Sequence, residues 1–361
     1  MSSYPHSPFL LTRVLLNFEA EREDIISDIS AAAFSPDGHL WTGSDEMVGV
    51  ERLSAIGCHS YGEHKRFLLK DYIDLFNTDD EIDIEGMDFC DGYLWLTGSH
   101  STKRKKPKKD DLEENLERMA TITTDLNRFI LARIPIVNGE LIKSYSPQAD
   151  TTLTAANLVT TDKRNILFEA LKEDRHLKPF ITANIPSKDN GLDIEGLAVK
   201  GDRVFLGLRG PVLRGWAVIL ELELTETEPG VLDLKAIDDD GAKYKKHFLD
   251  LEGLGVRELC RQDDDLLILA GPTMALAGQM RVFRWRDAFE TDSDMDEIHE
   301  QDEDTLFPLF DLPFTIGTDH AEGLSLYSCW EDKDGLMVVY DSPDETRLKG
   351  DKQIFADVFR I

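Results

Sequence analysis

The chain has 361 residues, of which 41% are hydrophobic, so it can bury a large core. Its 70 acidic residues outnumber its 40 basic ones, and the net charge of −30 argues against non-specific binding to nucleic acid or to an anionic membrane. No run of apolar residues is long enough for a membrane-spanning helix and no basic leader precedes the first apolar run, so we expect a cytoplasmic protein.

A short pattern recurs along the chain, and each copy begins a strand–turn–strand unit. In chain order the copies are 28–32 (Asp-Ile-Ser-Ala-Ala), 83–87 (Asp-Ile-Glu-Gly-Met), 193–197 (Asp-Ile-Glu-Gly-Leu), 250–254 (Asp-Leu-Glu-Gly-Leu) and 320–324 (His-Ala-Glu-Gly-Leu). After each copy comes a turn rich in Asp, Gly or Pro, and then a second, nearly continuous apolar strand. Two further strands follow, for example 216–224 with 231–237. The unit is therefore a four-stranded antiparallel blade, and the fold is predicted to be an all-β propeller.

The spacing of the copies predicts the number of blades. Most neighbouring copies start 55 to 70 residues apart, but the second and third start 110 apart. We favour five blades, with helical or loop insertions at 100–128 and 147–180; a sixth blade without the motif is the alternative. Blade two would be completed by strands at 129–137 and 140–146, and helices are predicted over 110–119 and 163–177. The whole chain, 1–361, then forms one domain, closed by pairing 353–361 with an N-terminal strand at 9–18.

One segment carries a family resemblance. Residues 190–197 (Asn-Gly-Leu-Asp-Ile-Glu-Gly-Leu), together with 206–217 (Leu-Gly-Leu-Arg-Gly-Pro-Val-Leu-Arg-Gly-Trp-Ala), resemble the bacterial family called domain of unknown function 3616, over most of the chain. The repeated Glu-Gly is also similar to that of the esterase-like phytases and the SdiA-regulated propellers. The first resemblance implies no activity. The second implies a propeller that holds calcium and acts on phosphoesters.

The motif acids are the candidate metal ligands. Residues i and i+2 of a strand share a face, so the acids of each copy can point into the central channel together. The candidates are Asp83, Glu85, Asp193, Glu195, Asp250, Glu252, His320 and Glu322. Carboxylates this close repel one another unless a cation, basic residues or raised pKa values compensate. Oxygen ligands favour calcium, with magnesium or manganese as alternatives, over zinc. The alternative for these acids is structural, since each can bond the backbone of the adjacent blade.

The residues after the second strands reach the same rim and supply the catalytic candidates. Asp45 and His100 could move a proton there, and Arg209 could hold an anionic group. The alternatives are that His100 is an ordinary surface residue and that Arg209 neutralises the acids. The basic run 103–109 and the acidic run 290–304 are interpreted as solvated loops.

Two functions are compatible with these patterns. One is a divalent-metal-dependent hydrolase of small anionic phosphoesters or other esters. The other is a non-catalytic propeller, stabilised by calcium, that acts as a binding scaffold. Neither nucleic acid nor a membrane is expected as a partner.

Overall fold

The computed structural model describes residues 9–19, 23–78, 80–107, 111–148, 151–290, 295–313, 315–330 and 333–361. Over these residues the protein is all-β apart from three short α-helices and a few 3-10 turns. None of the described helices has the length and apolar character needed to cross a membrane.

Most strands fall into five antiparallel series. The strands of each series are given below in the order in which they pair, beginning with the first strand. The first series is β2 (Ile29–Phe34), β3 (Leu40–Ser44), β4 (Gly49–Gly57) and β5 (Ser60–Leu68). The second is β6 (Ile84–Cys90), β7 (Tyr93–Gly98), β10 (Leu131–Val137) and β14 (Ala156–Leu158). The third is β15 (Asp193–Lys200), β16 (Arg203–Leu213), β17 (Trp216–Glu228) and β19 (Lys245–Asp250). The fourth is β20 (Gly255–Gln262), β21 (Asp265–Gly271), β22 (Arg281–Trp285) and β24 (Leu306–Asp311). The fifth is β25 (His320–Trp330), β26 (Lys333–Asp341), β27 (Gln353–Arg360) and β1 (Leu10–Asn17).

Parallel pairs join some series at their outer edges, which makes the sheets mixed. Strand β5 pairs with β1, so the first and fifth series form one eight-stranded sheet. Strand β18 (Val231–Leu234) pairs with both β17 and β14 and joins the second and third series. The remaining short strands are β8 (Lys103–Arg104), β9 (Ile122–Thr123), β11 (Glu140–Leu141), β12 (Ser144–Gln148), β13 (Thr151–Thr154) and β23 (Asp296–His299).

The first strands of the five series form a closed ring. Strand β2 lies against β6 and β25, β15 lies against β6 and β20, and β20 lies against β25. The second strands lie just outside this ring, and β7 and β21 are buried on both faces because a neighbouring series packs on each side. The apolar core is therefore divided among the spaces between adjacent series.

The three helices lie between strands of the second and third series. They are α1 (Leu112–Ala120), α2 (Ile166–Leu171) and α3 (Lys178–Thr182). The helix predicted over 163–177 is much shorter at both ends. It begins after Asn165, whose side chain accepts a 2.9 Å hydrogen bond from the Phe168 amide, and it is followed by a turn in which Asp174 accepts hydrogen bonds from the amides of His176 and Leu177. The first residue of the helix predicted over 110–119 lies outside the described residues.

Several outer strands differ from the prediction. Residues 144–148 form a hairpin with β13, and the fourth strand of the second series is instead β14. In the third series β18 pairs only with the far end of β17, while β19 pairs with its near end. The acidic run 290–304 is not only a solvated loop, because it contains β23; residues 291–294 lie outside the described part of the chain. Such edge strands are short, and their pairing depends on partners that are distant in sequence.

Candidate metal and ligand site

A β-bulge near the start of each first strand fixes which side chains face the middle of the ring. The pairing with the second strand skips one residue at the same point in all five series. The residues within the bulges are Ser30, Glu85, Glu195, Arg257 and Glu322. Three of the four predicted glutamates therefore occupy equivalent positions, and an arginine takes the fourth.

The structure places Asp250 and Glu252 outside the ring. Asp250 ends β19, and Glu252 lies in the following turn with a positive φ of 59°. Glu252 pairs with Arg281 and is largely exposed. The match of 250–254 to the repeated pattern was misleading because the turn continues through Gly253, at φ 84°, and delays the strand until Gly255. The expectation that these two acids join the central cluster is wrong for this reason.

The glycine after each motif glutamate allows neighbouring first strands to approach closely. A Cβ on Gly86 would lie 2.9 Å from the Leu197 Cβ, and one on Gly196 would lie 2.7 Å from the Leu259 Cγ. A Cβ on Gly323 would lie 3.0 Å from the Ala32 amide nitrogen. The Glu-Gly pattern therefore reflects the packing of the ring as well as its charge.

An ion-pair network occupies one side of the ring. Arg257 bridges two bulge glutamates: its Nη1 lies 3.0 Å from Glu195 Oε2, and its Nη2 donates to Glu322 Oε1. Arg209 Nη1 donates to Glu195 Oε1 at 2.7 Å, and its Nε donates to the Thr273 carbonyl at 3.0 Å. Glu195 is thus paired through both oxygens. The interpretation of Arg209 as a neutralising group has direct support in this geometry.

Burial and the charges of the network shift the pKa values of its members and of Asp193. Burial raises the pKa of Glu322 well above its ordinary value, although Arg257 opposes the effect. Burial and the Glu195 charge raise the pKa of Asp193 to about 7. Burial disfavours the charged form of Arg209, but the adjacent carboxylates outweigh it and raise its pKa.

A second group of carboxylates lies on the other side of the ring. One oxygen each of Asp45, Asp83 and Glu85 lies within 4.8 Å of the others. Asp45 follows β3, Asp83 precedes β6, and Glu85 occupies the bulge. Asp83 Oδ1 accepts from Arg128, while Asp83 Oδ2 is buried and has no hydrogen-bond partner among the described residues. Asp83 is only 5% exposed, so this orphaned oxygen is shielded from solvent.

The three carboxylates carry more negative charge than the surroundings compensate. Burial, with the charges of Asp83 and Asp341, raises the pKa of Asp45 to about 7. Burial, then Asp83 and Glu195, raise the pKa of Glu85 well above its ordinary value. Burial also raises the pKa of Asp83 despite its ion pair with Arg128. Oxygen ligands at this spacing suit a hard divalent cation such as calcium or magnesium.

The two candidate histidines differ sharply. His100 is fully buried: Nδ1 lies 2.8 Å from the Gly98 carbonyl and Nε2 lies 2.7 Å from Asn165 Nδ2. Burial lowers its pKa to about 4, so it is a neutral, structural histidine with both ring nitrogens occupied, neither a rim residue nor an available acid–base group. His320 lies at the rim, with Nδ1 3.6 Å from Asp341 Oδ2.

A cavity of about 330 Å³ opens above the ion-pair network. Its polar lining includes Lys188, Arg209, Arg257, His320, Glu322 and Asp341. Apolar atoms of Met274 and Leu276 line another wall, and both side chains are exposed. The cavity combines positive groups with an apolar wall, which suits a small ligand that has an anionic group.

Sequence reasoning missed Arg128 and Arg257. A usable signal existed for Arg257, because the bulge residues of the second, third and fourth series precede their hairpin turns by the same interval. Glu85 lies six residues before Asp91, Glu195 six before Gly201 and Arg257 six before Asp263. Arg128 comes from the segment between β7 and β10, and no local pattern indicates that it reaches Asp83.

The structure is similar to several solved β-propellers. They include a streptogramin B lyase at 9% identity, covering 98% of this chain and 100% of that chain with a TM-score of 0.38. They also include virginiamycin B lyase from Staphylococcus aureus, at 9% identity, 97% and 99% coverage and a TM-score of 0.36. A third is the PQQ-bound aldose sugar dehydrogenase from Streptomyces coelicolor, at 8% identity, 98% and 99% coverage and a TM-score of 0.38. Likenesses this weak say nothing about activity.

No curated protein matches the chain in sequence. The family model described as "protein of unknown function (DUF3616)" matches residues 28–357, which confirms the resemblance found in the sequence. The chain belongs to this family.

Proposed function

For this member of a family without an assigned activity, we propose a divalent-cation-dependent hydrolase of small anionic esters, phosphoesters above all. The observation that carries the proposal is the group formed by Asp45, Asp83 and Glu85, with the buried, unpartnered Oδ2 of Asp83. Calcium is the favoured cation, and magnesium or manganese are the alternatives.

The proposal includes the architecture that builds the site. We take the five strand series as the blades of a five-bladed propeller, each with four strands, and the ring of first strands as its channel. The closed succession of contacts from β2 through β6, β15, β20 and β25 supports this count. The site then lies at the end of the channel where the first strands begin.

The division of labour follows from the charges. Asp45, Asp83 and Glu85 hold the cation, which would polarise the ester and lower the pKa of a bound water. Lys188 and the outer faces of Arg209 and Arg257 in the cavity hold the anionic group of the substrate. The oxygen of Asp45 that does not hold the cation would accept the proton of the attacking water.

Cation titration of matched variants tests the binding part. Calorimetry with calcium should show binding to the wild-type protein and at least a tenfold weaker affinity for Asp83→Asn and Glu85→Gln. Glu252→Gln is the control, because this glutamate carries the same motif but lies outside the ring. Equal affinities in all four proteins would remove the basis of the cation site.

Turnover is tested separately. The wild-type protein, stripped of metal and then supplied with calcium, magnesium or manganese, is assayed against phosphoesters, carboxylic esters and lactones. We expect activity with at least one cation, lost in Asp83→Asn. Cation binding without any turnover would reject the hydrolase and leave the second candidate.

The second candidate is a non-catalytic propeller stabilised by calcium and used as a binding scaffold. One observation favours it: Arg209 and Glu195 are already paired, and His100 is buried, so few groups of the site stand ready for proton transfer. It predicts that calcium raises the melting temperature of the wild-type protein but not that of Asp83→Asn, with no activity in either.

A further inference from the structure

A cluster of two histidines and a glutamate lies on the outer part of the third series, apart from the channel. Strand β23 runs parallel to β19, with Glu297 opposite His247. His299 follows two residues later and so projects from the same face as Glu297. One ligand atom of each side chain lies within 4.8 Å of the others.

The spacing of the two ring nitrogens matches that of ligands sharing one metal ion. His247 Nδ1 lies 3.2 Å from His299 Nε2. Two nitrogens bound to zinc at about 2.0–2.1 Å in tetrahedral geometry stand roughly 3.3 Å apart. Glu297 Oε2 lies 3.9 Å from His299 Nε2, and this oxygen is buried without a hydrogen-bond partner among the described residues.

The groups behind His247 fix its orientation and tautomer. Its Nε2 lies 2.9 Å from Glu221 Oε2, and the other oxygen of Glu221 accepts from Arg203 Nε at 2.9 Å. Because the carboxylate needs a donor, the proton belongs on Nε2 and the Nδ1 lone pair points toward His299. A carboxylate behind a ligating histidine is the usual second layer of a zinc site.

An aromatic ring helps to hold the two histidines in place. The Trp285 ring covers the pair, with its centroid 4.6 Å from that of His299 and 5.0 Å from that of His247.

We propose that His247 Nδ1, His299 Nε2 and a carboxylate oxygen of Glu297 bind a zinc ion, with water as the fourth ligand. Two imidazoles and one carboxylate favour zinc over the hard cations that suit the all-oxygen group in the channel. The ion links β23 to β19. It therefore holds the segment between β22 and β24, which belongs to the fourth series, against the third series. This site does not depend on the function proposed for the channel.

Zinc titration of metal-stripped full-length protein tests the site, with calorimetry for affinity and Trp285 fluorescence under cobalt as a local probe. We expect tight binding to the wild type, at least tenfold weaker binding to His299→Ala, and a 10–100-fold loss in Glu221→Gln, which keeps all three ligands. His39→Ala and Asp45→Asn are controls that should bind zinc with wild-type affinity. The first removes a histidine outside the cluster, and the second changes the carboxylate group in the channel.

Circular dichroism establishes that each variant is folded, and His299→Gln replaces His299→Ala if the latter is not. Cobalt should quench fluorescence in the wild type and not in His299→Ala. Wild-type zinc affinity in a folded His299 variant, or zinc binding that disappears in Asp45→Asn instead, would overturn the proposal.

Discussion

Replacing Arg257 with methionine tests whether the ion pairs of the ring are structural. The side chains of Arg257, Glu195 and Glu322 are only 7%, 4% and 14% exposed, so the variant leaves carboxylates that are buried and have lost a partner. Breaking a buried pair on one side costs about 3–5 kcal/mol. With an unfolding entropy of about 2.1 cal/mol/K for each of the 361 residues, this lowers the melting temperature by about 4–7 °C.

The matched control is Arg281→Met. Arg281 also joins two carboxylates, Glu252 and Asp311, but these are 46% and 45% exposed, so its loss should cost at most about 1 kcal/mol. Thermal and urea unfolding of both variants, at pH 7.5 and pH 5.5, measure the difference.

The pH dependence has a definite sign. Glu322 already has a raised pKa in the folded protein, and losing Arg257 raises it further. A carboxyl with a raised folded pKa destabilises the protein as pH rises, so the deficit of Arg257→Met should be larger at pH 7.5 than at pH 5.5. Equal losses in the two arginine variants, or a deficit that grows on acidification, would refute the reasoning.

Three further predictions follow from other parts of the ring. Gly196→Ala should lower stability by about 1–3 kcal/mol in urea unfolding, because its Cβ would overlap Leu259, whereas Gly57→Ala, with no atom within 4 Å of the added carbon, should be nearly neutral. Asp45→Asn in the presence of a chelator should raise stability at pH 8, by at most about 4 kcal/mol, because the carboxyl with a pKa of about 7 no longer ionises in a crowded negative site. That gain should fall to about 1.6 kcal/mol at pH 5, because the unfolded carboxyl stays ionised down to its ordinary pKa of 3.8; a gain of undiminished size at pH 5 would point to a packing effect instead. His100→Gln should flatten the loss of wild-type stability between pH 6.5 and pH 4, since a histidine held neutral by burial stabilises the fold above pH 6.5 and progressively less as pH falls; an unchanged pH profile would show that His100 does not set it.

The inner part of the fold could be predicted from the sequence because its signals are local. Each hairpin joins two apolar strands through a short turn, and the Glu-Gly pairs place Glu85, Glu195 and Glu322 at equivalent positions. These side chains come from the same position of a repeated unit, so recognising the repeat is sufficient to predict that they lie close together.

The rest of the site depends on contacts that no repeat describes. Arg257 occupies the bulge position for which the repeated pattern predicted Glu252. The two positions differ by five residues because the chain forms a turn at 251–254 before β20 begins. Arg128 lies in the inserted segment between β7 and β10. His100 follows β7 as expected, but its side chain is buried in the core and contacts Asn165 at the start of α2. The outer strands were the least predictable, since β14, β19 and β23 acquire their positions only from partners far away in the chain.

The pairing of β1 with β27 joins the first and the last of the described strands. During synthesis β1 emerges before the other described strands and β27 after them, so the edge of β1 stays unpaired while all the strands between them are made. Because β1 also pairs with β5, the outer edge of the first series depends on the same strand. A nascent chain of this design needs protection from association with its neighbours, and an amino-terminal tag that hinders β1 would weaken the first and fifth series together.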